Sequence, residues 1–363
     1  MSGTQNIDVL VVGLGPAGAC AAEAAAMAGA SVIAIERNRK PGLPVQCAEF
    51  IPLMLGAGID GAAALRVQPI ERMETFVADE ARDITPDFPG MMVDRAAFDR
   101  HLIDRAIAAG ATCRFGTPLR ALSPDGIATL ADGTEFAARI IIGADGPRSP
   151  VGAAIGVPNT ELVETRQITL DLLETHTGTD IFLRPEIVGG YGWLFPKGNL
   201  CNLGLGVVPE HKDRLKPLLD SLHAELVDAG RVGRTIHRTT GGAIPVGGMV
   251  GPVGRLDEST ALLAGDAAGL TNPVTGAGIN AAVMSGRLAG DAAAQIASGD
   301  TDAAADYADE IEALFGTSLA LAVRRRRELL AEYHDDHIPD PGALRRGWIA
   351  YPQYWTPHTG DAA

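Results

Sequence analysis

The tightest constraint on the fold lies at the start of the chain. Ile7 to Val12 is a β-branched apolar run that stops at a glycine, Ala17 to Ala28 is alanine-rich and helical in composition, and Ser31 to Ile35 is a second apolar run. Strand, turn, helix and strand within about 30 residues is the spacing of a βαβ unit, which begins a parallel sheet. Between the first strand and the helix stands Gly13-Leu14-Gly15-Pro16-Ala17-Gly18, a GxGxxG in the context that motif requires. Gly13 permits the tight turn, Gly15 lets a pyrophosphate approach the backbone, and Gly18 lets the helix pack on the strand. The helix N-terminus at Pro16 and Ala17 then stabilises phosphate charge. Glu36 ends the second strand, where a carboxylate accepts hydrogen bonds from adenosine ribose hydroxyls. It would repel a 2′-phosphate, although Arg37 beside it softens that argument. A purely structural glycine turn is the plain alternative, and the acidic partner weighs against it.

Length and composition leave room for this unit and a second one. The chain has 363 residues, 46% hydrophobic and 21% charged, enough for two packed cores. Only 5% are aromatic, whereas there are 44 glycines, so aliphatic side chains and close backbone approach must build the core. A net charge of -15 argues against a nucleic-acid partner, because phosphate neutralisation needs a surplus of Lys and Arg. The one basic run, Arg324 to Arg327, reads first as a solvated helix face and second as a patch that meets anionic lipid headgroups or a phosphorylated substrate. Cys20, Cys47, Cys113 and Cys201 lie far apart with no histidine cluster, so neither a metal site nor a disulfide framework is expected. A reducing cytoplasm fits, and neither a basic leader nor a spanning apolar stretch is found. The expectation is a cytoplasmic protein, at most peripheral to a membrane.

Farther along, Asp94 to Ala109 reads as a helix with Phe98, Leu102, Ile103 and Ile107 on one face and Gly110 past its end. Ala137 to Ile142 is an apolar run stopping at Gly143-Ala144-Asp145-Gly146. From Gln167 to Val208, and around Thr239 to Val246, strands with Gly and Pro turns suggest an antiparallel lobe. Ala261 to Ala264 is a short buried-type strand before a Gly-rich loop and a helix from Gly278 to Ala297. Residues after Ala303 are helical to about Glu332, and the remainder reads as an irregular surface tail. The fold class is α/β: a Rossmann-like domain from residues 1–45, 85–160 and 255–300, a mixed or antiparallel sheet domain from 46–84 and 161–254, and C-terminal helices and tail over 301–363.

Two later segments point to FAD rather than NAD. Gly143-Ala144-Asp145-Gly146-Pro147-Arg148-Ser149 and Gly265-Asp266-Ala267-Ala268-Gly269 each place an aspartate in a Gly-rich turn after a short apolar strand. Taken singly, each reads first as a turn. With the first motif they resemble the fingerprints of the flavoprotein superfamily of aromatic hydroxylases and geranylgeranyl reductases. Pro44-Val45-Gln46-Cys47-Ala48-Glu49 and Tyr191-Gly192-Trp193-Leu194-Phe195-Pro196, with Asn202, Gly204 and Gly206, are similar to motifs of the geranylgeranyl reductase family. The resemblance covers roughly Ile7 to Ala297. It implies FAD contacts from Ala17, Glu36, Cys47, Ala48, Arg95 and Asp266, the last on the ribityl chain. It also implies contacts from the loop Pro273 to Asn280, with Gly276, Gly278 and Ile279 near the isoalloxazine, and adenine packing at Leu119. Arg95 has an independent argument, since a guanidinium opening a helix opposes the dipole and calls for an anionic partner. Phe50 stands where the family usually carries glycine and puts a ring near the flavin or substrate approach.

The expected reaction is hydride transfer from reduced flavin to a C=C bond of a hydrophobic, prenyl-type substrate, with a nearby acid supplying the proton. Tyr191 and Cys47 are the candidate proton donors or positioning groups. Alternate spacing puts Tyr191, Trp193 and Phe195 on one strand face, either a plain core or an apolar wall above the flavin. No second GxGxxG follows a strand, so electrons are expected from transiently bound NAD(P)H or from a protein such as ferredoxin. A flavin monooxygenase is the first rival reading, and a non-catalytic carrier of a prenylated ligand is the second.

Overall fold

The computed structural model describes residues 4–52, 62–334 and 337–356. Gln5–Val12 lies centrally in an eight-stranded sheet, parallel to Val32–Glu36 on one side and to Glu135–Gly143 on the other. Thr112–Phe115 and Thr260–Leu263 continue the parallel core outward. Val253–Arg255 runs antiparallel at one edge, and the hairpin Leu119–Leu122/Ile127–Leu130 pairs with Glu135–Gly143. The register sets Val12 opposite both Ile35 and Gly143, and Gly143 opposite Leu263. Four parallel strands therefore end together, each running into a segment singled out by sequence: Gly13–Gly18, Glu36-Arg37, Ala144–Ser149 and Gly265-Asp266. That is the carboxyl edge, where open α/β sheets bind ligands.

The abundance of Ala and Gly is spent on one helix crossing. Helix Pro16–Met27 packs against Ile279–Ser298 so closely that a Cβ on Gly286 would stand 2.2 Å from the Ala17 carbonyl oxygen, and one on Gly290 2.4 Å from that of Ala21. Helix Arg95–Ala108 packs on Pro16–Met27 through buried Phe98, Leu102, Ile103 and Ala106, and Asp94 caps it by accepting from the Ala97 amide at 3.0 Å. Ile107, expected on that face, is 48% exposed. At about 100° per residue it falls about 180° from Phe98, whereas Ala106 falls about 80° away.

The second sheet runs in the order Val232–Thr240, Leu162–Leu172, Leu200–Val207, Gly192–Lys197, Gly178–Leu183, Arg72–Val77, Asp83–Thr85. It is antiparallel throughout except where Gly178–Leu183 meets Arg72–Val77 in parallel. Its two faces differ. Helix Leu215–Asp228 covers one with Leu215, Leu219, Leu222 and Leu226, packed on Leu170, Leu194, Leu203 and Leu205. The other presents Met73, Ile181, Trp193 and Phe195 toward the three-stranded sheet Phe50–Pro52, Gly90–Val93, Arg66–Ile70.

The C-terminal part departs from expectation twice. Helices Ala303–Ile311 and Thr317–Ala331 are joined by a π turn, Glu312–Gly316, and the segment beyond is not a surface tail. Leu344, Trp348 and Tyr354 are buried, because the segment's apolar rings fold back onto the second sheet and the Thr317–Ala331 helix. Nor is the arginine run a solvated face. Arg325 and Arg326 are 2% and 8% exposed, since four consecutive helical residues sweep most of the way round the axis. Arg325 donates to the carbonyls of Tyr354 (2.8 Å) and Thr356 and pairs with Glu328, pinning the returning segment.

Candidate active site at the carboxyl edge of the parallel sheet

A cavity of ≈ 820 Å³ opens between the two large sheets, and the convergent loops form part of its wall. It is lined by Gly13, Gly15, Pro16, Ala17, Glu36, Arg37, Cys47, Ala48, Arg95, Leu119, Asp145, Asp266, Gly276, Gly278 and Ile279, and also by Tyr191, Trp193 and Phe195. Of the expected site residues, Gly18 alone stands outside the lining. A Cβ there would sit 1.8 Å from the Gly13 carbonyl oxygen, so its role is to let helix and turn touch.

The glycine turn has the form a phosphate needs. Gly13 adopts φ +94 and abuts Ala144, whose carbonyl oxygen would lie 2.3 Å from an added Cβ. Gly15 faces open space instead, and as N-cap it makes no side-chain capping bond. The free amides of the first helical turn therefore point to a cradle with no side chain in it. The Glu36 carboxylate accepts from the amides of Leu14 (3.0 Å) and Asn38 (2.8 Å), which locks the strand end to the turn.

The two aspartates behave differently. Asp145 is occupied internally, accepting from the Ser149 hydroxyl and from the Val151 amide (3.1 Å) at the start of a short helix. Asp266 accepts from the Thr271 hydroxyl at 2.6 Å, and its second oxygen takes no hydrogen bond from the described residues. Burial raises both carboxyls above their usual range. Hydrogen bonds oppose this in each, as do the charges of Arg37 at Asp145 and Arg95 at Asp266. Arg95 is largely buried and grips Asp99 bidentately at 3.0 and 3.1 Å. The anionic partner its position called for is thus supplied, at least in part, by its own helix.

Around the aromatic face the polar groups tie loops together. The Tyr191 hydroxyl donates to the Thr275 carbonyl at 2.5 Å, and burial pushes its ionisation well above the usual phenol range. The Trp193 indole donates to Gln167 (3.0 Å), whose amide donates to the Cys47 carbonyl (3.1 Å). Gly204 clears the space for the Trp193 ring, an added Cβ falling 2.5 Å from it. Phe50 stacks on Phe88 and leans on Phe195, both at 5.7 Å between centroids, and its ring overlies Gly90. The ring lines the cavity from within a fixed aromatic cluster.

Sequence reasoning missed Glu49, Arg326 and Trp348 as site builders. Glu49 is 1% exposed and left-handed at φ 70, and it joins Lys197, Asn202 and the Arg95 amide. Its place in the Cys-Ala-Glu triplet was a signal. For Arg326 the basic run was a signal, though it did not mark burial; Trp348 gave none, because nothing local reports that a distant segment returns to the cavity. Among the described residues, one buried cluster of metal-capable groups, Glu74, His176 and Asp180, has its carboxylates already paired with Arg72, Arg82 and Arg231.

FAD fits this lining: an open glycine cradle at a helix N-terminus, an acid at the end of the second strand, and a half-buried aspartate with a spare oxygen. A family model described as an FAD binding domain matches residues 6–182. Digeranylgeranylglycerophospholipid reductase 2 of Methanopyrus kandleri is 35% identical over 346 residues, covering 88% of this chain and 86% of that protein. The digeranylgeranylglycerophospholipid reductase of Methanocella arvoryzae is 33% identical, covering 87% and 85%. Among solved structures, a geranylgeranyl bacteriochlorophyll reductase-like protein from Thermoplasma acidophilum superposes with TM-score 0.81 over 97% of this chain and 98% of its own, at 24% identity. PqsL of Pseudomonas aeruginosa, at TM-score 0.71 and 18% identity over 94% and 98%, shares the fold. A parallel sheet whose strand ends converge on a dinucleotide cradle, together with these relatives along most of the chain, shows that the protein belongs to the geranylgeranyl reductase family of FAD-dependent oxidoreductases.

Proposed function

We propose that the protein reduces carbon–carbon double bonds in the prenyl chain of a lipid substrate. The observation that carries this reading is that a single cavity is lined both by the dinucleotide cradle and by an aromatic, largely apolar sheet face. Its relatives are named for prenylated glycerophospholipids. Bound FAD, when reduced, supplies the hydride.

The chain does the rest. The first-turn amides behind Gly15 and Pro16 hold the pyrophosphate, Glu36 the ribose, and Leu119 the adenine. Asp266 holds the ribityl hydroxyls, and Gly276, Gly278 and Ile279 border the ring. Trp193, Phe195 and Phe50 exclude water and align the chain. Cys47, fixed by the Glu49 amide at 3.2 Å from its sulfur and by Gln167 on its carbonyl, delivers the proton from Sγ and is reprotonated from solvent. Tyr191 acts by position, because its proton is committed to the Thr275 carbonyl and holds the loop before Gly276 against the sheet.

Cys47→Ala is expected to lower anaerobic turnover about 100-fold while FAD stays bound. Tyr191→Phe, which removes one hydrogen bond, lowers it about tenfold. Single-turnover reoxidation of the reduced protein by a tetraprenyl lipid measures both. A Cys47→Ala rate within twofold of wild type removes the thiol from the mechanism, and no anaerobic reoxidation by any prenyl lipid removes the function.

Electrons come from NAD(P)H bound transiently or from a ferredoxin-type protein, and anaerobic reduction rates with each donor discriminate. We place the reaction in the cytoplasm, at the surface of the membrane that holds the substrate. Among the described residues no helix is long and apolar enough to cross a bilayer, while Ile338 and Trp355 are 61% and 63% exposed. Flotation with anionic vesicles tests the contact, and a protein that stays at the bottom of the gradient refutes it.

A further inference from the structure

The cavity has an arm that leads away from the cofactor loops. Its near end is marked by Tyr191, whose hydroxyl donates to the Thr275 carbonyl beside Gly276. From the strand Gly192–Lys197 the lining continues over two more strands of the second sheet, with Ile181 opposite Trp193 and Met73 opposite Thr179. Neighbouring strands stand about 4.8 Å apart, so the arm runs about 10 Å past Trp193. Its walls are Phe50, Met73, Phe88, Thr179, Ile181 and Phe195, none of them charged. A prenyl chain with a polar head can lodge only its tail here, because the head would give up its water for apolar walls.

Phe50 is held in place to narrow this arm. The residue is half-buried, and its ring faces the cavity between two others, stacked on Phe88 and leaning on Phe195. Behind it Gly90 makes the room: a Cβ there would stand 2.3 Å from Phe50 Cε2 and 2.6 Å from its Cζ. A ring seated over a glycine and clamped by two aromatic neighbours does not swing aside when a chain arrives.

We propose that Phe50 sets how far a prenyl chain inserts tail first, so that a four-unit chain loses the double bonds toward its tail and keeps the one nearest its head. A double bond reacts at the cofactor end, and every unit beyond it must then be housed in the arm. Each isoprene unit adds four chain bonds of about 1.5 Å, so two units extended span about 10 Å and fit, whereas three span about 15 Å and do not. This rests on the prenyl-reductase reading and adds to it the product and the side chain that decides it. Phe50 exchanges neither hydride nor proton and is a specificity residue.

The test supplies the FAD-loaded protein anaerobically with geranylgeranyl glyceryl ether, with excess dithionite as the source of electrons, and runs to completion. Mass spectrometry counts the saturated bonds and locates those that remain. The wild type is expected to stop with the bond nearest the head intact. Phe50→Ala opens the space its ring fills and should raise the fully saturated fraction about tenfold, and Phe50→Leu should raise it less. Gly90→Ala drives the ring toward the arm and should stop the reaction one bond earlier, whereas Gly90→Ala/Phe50→Ala should match Phe50→Ala. A ring that only supported the fold would not make the glycine substitution depend on its presence. Product ratios are read rather than rates, bound FAD shows that each variant is folded, and Phe50→Leu decides if Phe50→Ala loses the flavin. Complete saturation by the wild type, or wild-type product ratios in Phe50→Ala and Phe50→Leu, overturns this inference and leaves the reductase reading standing. If the wild type reduces no prenyl lipid at all, the prenyl reading falls and this inference with it.

Discussion

Glu49→Ala is expected to destabilise the protein by about 3 kcal/mol and to loosen the loop that carries Cys47. One carboxylate, 1% exposed, accepts from Lys197 Nζ at 2.8 Å, Asn202 Nδ2 at 2.9 Å and the Arg95 amide at 3.2 Å, with Arg238 at 3.8 Å. Removing it leaves Asn202, which is fully buried, with only the Ala48 carbonyl at 3.3 Å for its amide, and leaves two cations without their anion. Loss of one partner from a buried pair costs about 3–5 kcal/mol. The low end applies because the Lys197 side chain keeps 20% exposure and can turn outward. Glu49→Gln preserves the shape and the Asn202 contact and should lose about half as much. The pair Glu49→Gln/Lys197→Met should recover part of the loss, as expected when the cost lies in a stranded charge. Denaturant unfolding of the FAD-loaded forms measures all three, and a Glu49→Ala loss below about 1 kcal/mol would refute the keystone role.

Gly286→Val should weaken FAD binding about 100-fold, with a stability loss of about 1–3 kcal/mol. Its Cβ would stand 2.2 Å from the Ala17 carbonyl oxygen and 2.9 Å from the Ala17 Cα, both backbone atoms that no rotamer change can move aside. The helices must separate, and each opens on the cavity: Pro16–Met27 with the cradle amides, Ile279–Ser298 directly after Gly278. A shift of about 1 Å in either moves the donors out of hydrogen-bond reach of the cofactor. Met284→Ala, on the exposed side of the same helix, serves as control and should leave affinity unchanged. Flavin fluorescence titration gives both constants, and a Gly286→Val affinity within threefold of wild type would show that the crossing tolerates separation.

The cavity also explains why a face of apolar rings could be read two ways. Trp193 and Phe195 are as buried as core residues, at 7% and 6%, and yet they line a cavity. Alternation along a strand reports which side chains share a face but not what the face meets. Helix Leu215–Asp228 fills one side of that sheet and leaves the other to the ligand chamber.

By itself the sequence determined the features that depend on near neighbours in the chain. The Gly13–Gly18 turn, the acid at Glu36 and the strands stopping at Gly143 and Ala264 are each set within a few residues, by backbone sterics and by the alternation of apolar side chains. They sufficed for the βαβ unit, for the dinucleotide and for the carboxyl edge where the site lies. Only the tertiary structure decided that Glu49 would be a buried junction, that Asp145 would cap a helix while Asp266 kept an oxygen free, and that Arg326 and Trp348 would reach the chamber. The reason is physical: burial and pairing depend on which segments fold back onto one another, and a side chain carries no local mark of a partner more than a hundred positions away.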